Sequence, residues 1–414
     1  MENARGTRDF APAQAIVRQE LAFALKESFE LFGFNPLETP ILERFDVLAS
    51  KYAGGAEILK ETFKLKDQGD RDLALRYDLT VPMCRYLAMN PNIKLPFKRY
   101  QIGEVFRDGP IKLGRYRQFT QCDIDIVGVA TMKADAEIVT LMQFVFKKLG
   151  LNTKIKVNNR KVMNGMMHEA DIKKDKTEEA ILCIDKLEKV GLSQVQKEMA
   201  EKKISQASIK KISELITKNL EELKGELKTD EGKEGLKEVE ELFNYLDDYN
   251  VEFDPSLARG LAYYTGSVFE AFLVDSEIKS AISAGGRYDK MIGNFLKNNK
   301  EYPAVGVSFG LDVILDATKA GEKKAVAKAL VIPIKTFRDS LKFAAQLRKL
   351  GVKTEIDLTE RGISKSIEYA SSLGIENVIF IGEQEITQGK LKLRNLKSGE
   401  ESSLTVQQCA DKLK

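Results

Sequence analysis

The chain has 414 residues, with 65 Lys and Arg against 62 Asp and Glu, four Cys, no Trp and a single His. At roughly 100–200 residues per domain this length calls for two or three domains, and 43% hydrophobic with 31% charged residues describes a globular chain, neither disordered nor fibrous. The net charge of +3 confines any nucleic-acid contact to a local patch. A Ser-His-Asp triad, a Cys-His pair, an HExxH helix or a Cys/His zinc site would each have to be built around the lone His168, but Asn164-Gly165-Met166-Met167-His168-Glu169 carries none of their spacings, and His168 reads as a surface or packing residue.

In chain order, residues 21–31 have helical periodicity, stopped by Gly33, Pro36 and Pro40. Phe63-Lys64-Leu65-Lys66 and Leu73-Ala74-Leu75-Arg76-Tyr77 alternate around Gln68-Gly69-Asp70 and predict a hairpin. Residues 98–106 and 119–127 form a second strand pair across a loop holding Gly109-Pro110 and Gly114. Residues 135–149 predict an amphipathic helix ended by Lys147, Lys148 and Gly150. Residues 160–250 are rich in Lys and Glu and read as a small helical module with a charged solvated face. The mixed pattern resumes from Val251, over 260–272, 282–286 and 305–315. After the charged linker 319–328, strands at 330–334, 353–356 and 378–381 alternate with helices at 339–350 and 364–373, predicting an α/β domain with a largely parallel sheet. Neither GxGxxG after the first of these strands nor a Walker A sequence is present, so ATP would be held without a P-loop.

Cys84, Cys122, Cys183 and Cys409 form no CxxC pair and read as reduced, buried thiols. Met1-Glu2-Asn3-Ala4-Arg5 lacks an apolar signal core, and no stretch approaches the ~20 apolar residues of a membrane span. The expectation is a soluble, cytoplasmic protein.

With metals, histidines and side-chain nucleophiles set aside, arginine is the residue type to follow. Arg107 ends one strand, and Arg115-Tyr116-Arg117-Gln118-Phe119 begins the next, so an antiparallel pair brings Arg107 and Arg115 to one mouth. Two guanidiniums beside an aromatic ring suit a triphosphate and a base. Ion pairing with Asp108 or Glu104 is the alternative. Ala258-Arg259-Gly260-Leu261-Ala262-Tyr263-Tyr264-Thr265-Gly266 sets a charge and phenols on opposite faces of a strand, or is a core strand with one snorkelling Arg. Ser283-Ala284-Gly285-Gly286-Arg287-Tyr288-Asp289 permits close backbone approach, for a ligand or for a tight crossing.

Taken in order, these segments carry a resemblance. Arg76-Tyr77-Asp78-Leu79-Thr80-Val81-Pro82 resembles a class II aminoacyl-tRNA synthetase substrate segment, and 106–119 resembles motif 2 of that class. Residues 257–266 and 284–289 are similar to two signatures particular to the histidyl-tRNA synthetase family. Gly6-Thr7-Arg8-Asp9, Pro40 in a motif-1-like segment and the final α/β domain extend the likeness to nearly the whole chain.

The resemblance implies an α+β architecture: a class II antiparallel-sheet catalytic core (1–160 and 250–320), a helical insertion (161–249) and a C-terminal α/β anticodon-binding-like domain (328–414). It implies a homodimer that activates histidine with ATP and Mg²⁺, the metal arriving with ATP rather than on protein ligands, and transfers the adenylate to tRNA(His). Arg107 would hold the α-phosphate, Arg115 the distal phosphates, and Phe119 would stack on adenine. Arg259 would be the main transition-state cation, against the α-phosphate and substrate carboxylate. Asp78, Thr80 and Gln121 match α-amino contacts. Asp125, Tyr264 and Tyr288, with Tyr263 beside them, match the imidazole pocket. Lys112 and Arg115–Arg117 would meet the acceptor end. Lys390-Leu391-Lys392-Leu393-Arg394 would face RNA, or else serve as a lysine-guarded sheet edge. Two departures stand out: Val313 occupies the place of the motif 3 arginine in Gly310-Leu311-Asp312-Val313, and Ala262 that of an acidic residue. Val313 is what a non-catalytic paralogue, a histidine sensor or regulatory subunit, would show. A ligase for another amino acid is opposed by Asp125, Tyr264 and the 285–288 segment.

Overall fold

The computed structural model describes residues 1–51, 59–111, 115–246, 250–258, 263–296, 298, 300–318 and 324–414. They fall into two units, Met1–Arg8 with Leu21–Thr318, and Asp9–Glu20 with Lys319–Lys414. The expected Arg259, Ala262, Lys112 and Gly114 lie outside the described residues.

The helix Pro12–Leu31 buries Leu21, Leu25 and Phe29. It ends where Gly33 takes φ +75, with Gly33 N and Phe34 N donating back to Glu30 O and Phe29 O. The strands of the larger unit are β1 (Asn35–Pro36), β2 (Leu42–Arg44), β3 (Lys64–Lys66), β4 (Asp72–Leu75), β5 (Phe97–Phe106), β6 (Gln118–Val127), β7 (Thr153–Asn159), β8 (Val251–Phe253), β9 (Ser267–Leu273), β10 (Ser283–Arg287) and β11 (Ala304–Gly310). Eight of them make one sheet in the order β1-β5-β6-β11-β10-β9-β7-β8, antiparallel except at its two rims. The hairpin expected at 63–77 is present as β3 and β4, joined to β2, and its turn is tied by Gly69 N and Arg71 N donating to Asp67 Oδ1. The strand stops at Leu75, before Arg76, whose guanidinium donates to Glu104 O and Thr39 O.

Alternation gives this sheet two unlike faces. Cys122, Ile124 and Ile126 of β6, Val305, Val307 and Phe309 of β11 and Phe269 and Ala271 of β9 are buried on one. The helix Lys133–Lys148 lays Ile138, Leu141, Met142, Val145 and Phe146 over that face. Phe309 meets Phe146 and Phe29 at ring separations of 5.7 and 5.6 Å. The opposite face is polar and builds the site described below.

From Arg160 to Tyr245 the chain is a succession of helices joined by turns, with no strand among the described residues. Helices Arg160–Glu169 and Asp230–Tyr245 cross at Gly165 and Gly232, where a Cβ on Gly165 would lie 2.8 Å from the Gly232 backbone. Val162, Met166, Ile181, Met199, Ile212 and Leu236 share their core. His168 sits on this surface with 73% of its side chain exposed.

The smaller unit holds β12 (Ala329–Pro333), β13 (Thr354–Ile356), β14 (Asn377–Ile381), β15 (Leu391–Asn395) and β16 (Glu401–Leu404), in the order β13-β12-β14-β15-β16. β13, β12 and β14 are parallel as expected, but β15 and β16 add an antiparallel hairpin that the βαβαβ rhythm did not reveal. Its tight turn at Gly399, with φ +73, needs no crossover helix. The basic strand is therefore internal rather than an edge, and Lys392 and Arg394 face Glu401 of β16 at 2.8 and 3.7 Å.

The Arg287 guanidinium fixes the larger unit's sheet to its helix. It is buried, pairs with Asp135 in the first turn of Lys133–Lys148, and donates to Val129 O and Thr131 O at 2.9 and 3.2 Å. Removing one partner of such a pair strands a buried charge. Arg287→Met should therefore lower stability by about 3–5 kcal/mol in urea unfolding, and Arg287→Met with Asp135→Leu should regain most of it. Equal losses in the single and double variants would argue against this assignment.

Candidate functional site

The polar face is written into β6, where Phe119, Gln121, Asp123 and Asp125 alternate with buried apolar residues. The register sets Arg99, Gln101 and Gly103 of β5 beside Asp125, Asp123 and Gln121, and Gly306, Ser308 and Gly310 of β11 on the other side. Glycine at 306 is what makes room: a Cβ there would overlap the Asp125 carboxylate. Glycines 285 and 286 serve a tight crossing. A side chain at 285 would strike the Gly306 carbonyl, and one at 286, where φ is +155, would strike Ser267 O and stand 2.9 Å from the Tyr264 ring.

Arg99 has no exposed surface, and its Nη2 lies 2.7 Å from Asp125 Oδ2 and 4.0 Å from Asp123 Oδ2. Burial opposes its charge, but Asp125 and Asp123 more than compensate and raise its pKa. Nη2 also donates to Leu79 O, at 3.2 Å, and so seats the start of helix Thr80–Met89 over the row. Asp78 Oδ1 accepts from Val81 N at 2.9 Å. Tyr288 donates its hydroxyl to Asp125, and burial with that neighbouring carboxylate drives the phenol pKa well upward. The rings of Tyr263 and Tyr264 lie 4.6 Å apart, tilted by 43°, and Tyr263 meets Tyr288 edge-on at 6.4 Å. These tyrosines precede β9 instead of lying within it, as the chain turns at Thr265-Gly266 against Arg287, and both rings join one cluster; the expected opposition of the phenols to Arg259 lies outside the described residues. Gln121 donates to Ser308 Oγ at 3.0 Å.

The other end of the row reaches the mouth of the β5–β6 hairpin. Arg107 lies over the rings of Tyr77 and Phe119, 4.3 and 4.9 Å from their centroids, and donates to Tyr77 O. It has no carboxylate partner among the described residues. Arg115 behaves differently, since Glu61 accepts from it at 2.7 and 2.9 Å and also from Tyr77 Oη at 3.1 Å. The partners expected for this mouth are otherwise engaged, Asp108 with Arg117 at 3.0 Å and Glu104 with Gln118. The N-terminal Gly6 accepts from Arg117 N, while Arg8 covers the Tyr116 ring and pairs with Asp312. Val313 packs close to Gly310, 3.5 Å from where its Cβ would be.

Asp78, Gln121, Asp125, Tyr263, Tyr264 and Tyr288 thus gather about one polar face, Thr80 opens the helix seated over it, and Arg107 and Phe119 adjoin at the mouth, where Arg115 is paired with Glu61. Arg99, Asp123 and Glu61 were not among the expected residues. The Gln121-Cys122-Asp123-Ile124-Asp125 alternation was the signal for the second of these, since three polar residues on one face of an internal strand need a reason. Among the described residues, no three His, Cys, Asp or Glu side chains converge as a metal cage, and no helix is long and apolar enough to cross a membrane. The four cysteines are buried, and none is in a disulfide.

Residues 6–314 match the family model described as histidyl-tRNA synthetase, and 328–414 match an anticodon binding domain. A histidine–tRNA ligase of Bacillus cereus is 44% identical over 411 residues, covering 97% of each chain. One from Clostridium tetani is 36% identical, covering 97% of this chain and 95% of its own. The crystal structure of histidyl-tRNA synthetase from Nostoc sp. PCC 7120 superposes with a TM-score of 0.87 at 28% identity, covering 100% of this chain and 98% of that one. The fold alone is shared with a Bacillus halodurans structure described as an ATP phosphoribosyltransferase regulatory subunit/histidyl-tRNA synthetase, at TM-score 0.75 and 22% identity over 90% of this chain and 96% of that one. The α+β fold, with its largely antiparallel sheet and separate C-terminal domain, is that of a synthetase. The chain belongs to the histidyl-tRNA synthetase family.

Gly306→Ala should displace Asp125 and cost about 1–3 kcal/mol, as overpacking does. Gly310→Ala, with its nearest neighbour at 3.5 Å, should stay within about 1 kcal/mol of the parent. Paired urea titrations check the contrast, and equal costs would mean that Gly306 is not a steric requirement.

Proposed function

We propose that this chain is a class II histidine–tRNA ligase that makes histidyl-adenylate from histidine and ATP and passes the histidyl group to tRNA(His). The observation that carries the reading is the position of Arg107, a guanidinium with no described carboxylate partner, at the end of a strand pair whose polar face runs to Asp125 and Tyr288. In the first step a substrate carboxylate oxygen bonds to the α-phosphorus as the bond to pyrophosphate breaks. In the second a terminal ribose hydroxyl of the tRNA takes the acyl group and AMP leaves. Both need positioning and stabilisation of developing negative charge rather than a protein nucleophile.

On this reading Arg107 and Arg259 face the α-phosphate, with Arg259 also at the substrate carboxylate. Phe119 offers its ring to adenine. Arg115 turns from Glu61 to the distal phosphates, which is the part of the arrangement that must compensate for Val313. Asp78, Thr80 and Gln121 take the α-amino group. Asp125 accepts from one imidazole nitrogen, with Tyr263, Tyr264 and Tyr288 closing the pocket. A pocket that hydrogen-bonds both ring nitrogens rejects apolar analogues by roughly 10⁴ or more, because its buried polar atoms would be left unpaired. Mg²⁺ would arrive on the ATP phosphates, whose negative charge it would offset. The reading extends to a cytoplasmic homodimer with a core at 1–160 and 250–320, an insertion at 161–249 and an anticodon domain at 328–414. Lys112 and Arg115–Arg117 would meet the acceptor end, and Lys390–Arg394 the anticodon arm.

Pyrophosphate exchange into ATP should depend on histidine and on none of the other nineteen amino acids. Exchange absent with histidine at saturating ATP would sink the proposal. Arg107→Ala and Arg259→Ala should each lower kcat for exchange by roughly 10²–10³ or more with unchanged circular dichroism. A drop of only a few-fold would mean that the principal cations are misassigned.

A further inference from the structure

Asp123 is the buried acid at the middle of the polar row on β6. It sits between Gln121 and Asp125 along β6, and between Gln101 and Ser308 across the sheet. Its carboxyl is buried, at 4% residue exposure, and its Oδ1 has no hydrogen-bond partner among the described residues. The nearest cation falls short of neutralising it: Arg99 Nη2 is 4.0 Å away and lies nearer to Asp125, at 2.7 Å. Two further buried atoms of the same face, Arg99 Nη1 and Gln121 Oε1, also lack partners among the described residues. Buried polar atoms are rarely left unpaired, so three on one face mark a place where a ligand supplies the missing bonds.

The charge of that ligand follows from the sign of the deficit. Arg99 is the guanidinium within 4.0 Å of both carboxylates, Arg76 acts on Asp123 only electrostatically, and Asp78 adds a third acid with its Oδ1 occupied by Val81 N. The face therefore lacks a positive group at Asp123. Along a strand, two residues advance ~6.8 Å, so Asp123 stands one such step from Asp125, a separation that fits the span of an amino acid from side-chain tip to α-nitrogen. Resting on the reading that Asp125 meets the imidazole, we propose that Asp123 is a specificity-determining residue that accepts a charge-assisted hydrogen bond from the α-ammonium of the bound histidine, whose three N–H donors it shares with Asp78, Thr80 and Gln121.

A proton is linked to this contact. Burial, with the neighbouring Asp125 and Asp78 carboxylates, pushes the Asp123 pKa up to about 7, against the pull of Arg99 and the Ser308 hydrogen bond. Arg76 also faces it electrostatically. The raised value means that the free protein holds part of its Asp123 protonated near neutrality. An ammonium favours the ionised form, so binding lowers the pKa and releases a proton at any pH between the bound and free values.

The test compares histidine with imidazolepropionate, which keeps the imidazole and carboxylate but lacks the amine. Calorimetry near pH 7, in two buffers of different ionisation enthalpy, gives affinity and proton release together. For Asp123→Asn, histidine affinity should fall about 10–100-fold, as for a charged hydrogen bond. Imidazolepropionate should bind the variant and the parent alike, which also shows that the pocket has folded. Proton release with histidine should be smaller in the variant. Equal weakening of both ligands would overturn the proposal and leave Asp123 a structural acid; unchanged histidine affinity would overturn it as well. If the parent binds imidazolepropionate but gains nothing from the α-amine of histidine, the proposal also fails. Failure of the parent to bind either ligand would instead overturn the reading of the pocket itself.

Discussion

A guanidinium cut off from water in the middle of a strand sets the terms for everything above the sheet. Moving such a charge out of water costs several kcal/mol even after relaxation, unless carboxylates and carbonyls compensate. Around Arg99 the compensation comes from Asp125, Asp123 and the Leu79 carbonyl. Each of these is thereby fixed. Asp125 points across Gly306 to Tyr288, the helix Thr80–Met89 begins where its carbonyl is needed, and the segment carrying Asp78 follows. The site is preorganised because the sheet could not bury Arg99 without it.

The hairpin mouth obeys a different rule. Arg107 rests on two aromatic faces, which hold a cation without neutralising it, so its charge stays available to an anion. Arg115 is already matched by Glu61, which also holds the Tyr77 hydroxyl. Two arginines of one hairpin are thus kept in different electrostatic states, one poised and one restrained. His168, largely exposed among the helices, takes no part.

Much of this was legible in the sequence, for identifiable reasons. Alternation exposed β5, β6 and the hairpin of β3 and β4, and Gly33 and Gly150 after periodic runs marked helix ends. The ordered motifs singled out Asp78, Thr80, Gln121, Asp125 and Tyr288, which the fold brings together. What stayed hidden depends on register and on long-range pairing. The Arg99–Asp125 pair is decided by which residues stand opposite across two strands, and Glu61 reaches Arg115 from 54 positions away in the chain. The turn that carries Tyr263 and Tyr264 to one side is imposed by Arg287, from another strand. The antiparallel tail of the smaller sheet escaped because a hairpin needs no helix to announce it.

The rims of the large sheet carry a consequence of their own. On one side it ends in the two residues of β1, one of them Pro36, which has no N–H to offer. On the other it ends in the three residues of β8. A broad antiparallel sheet is a ready template for accretion of foreign strands, the route by which open sheets grow into aggregates. Here the outermost strands offer an incoming strand only two and three residues of backbone, one of them a proline, so each rim strand is a poor template for accretion.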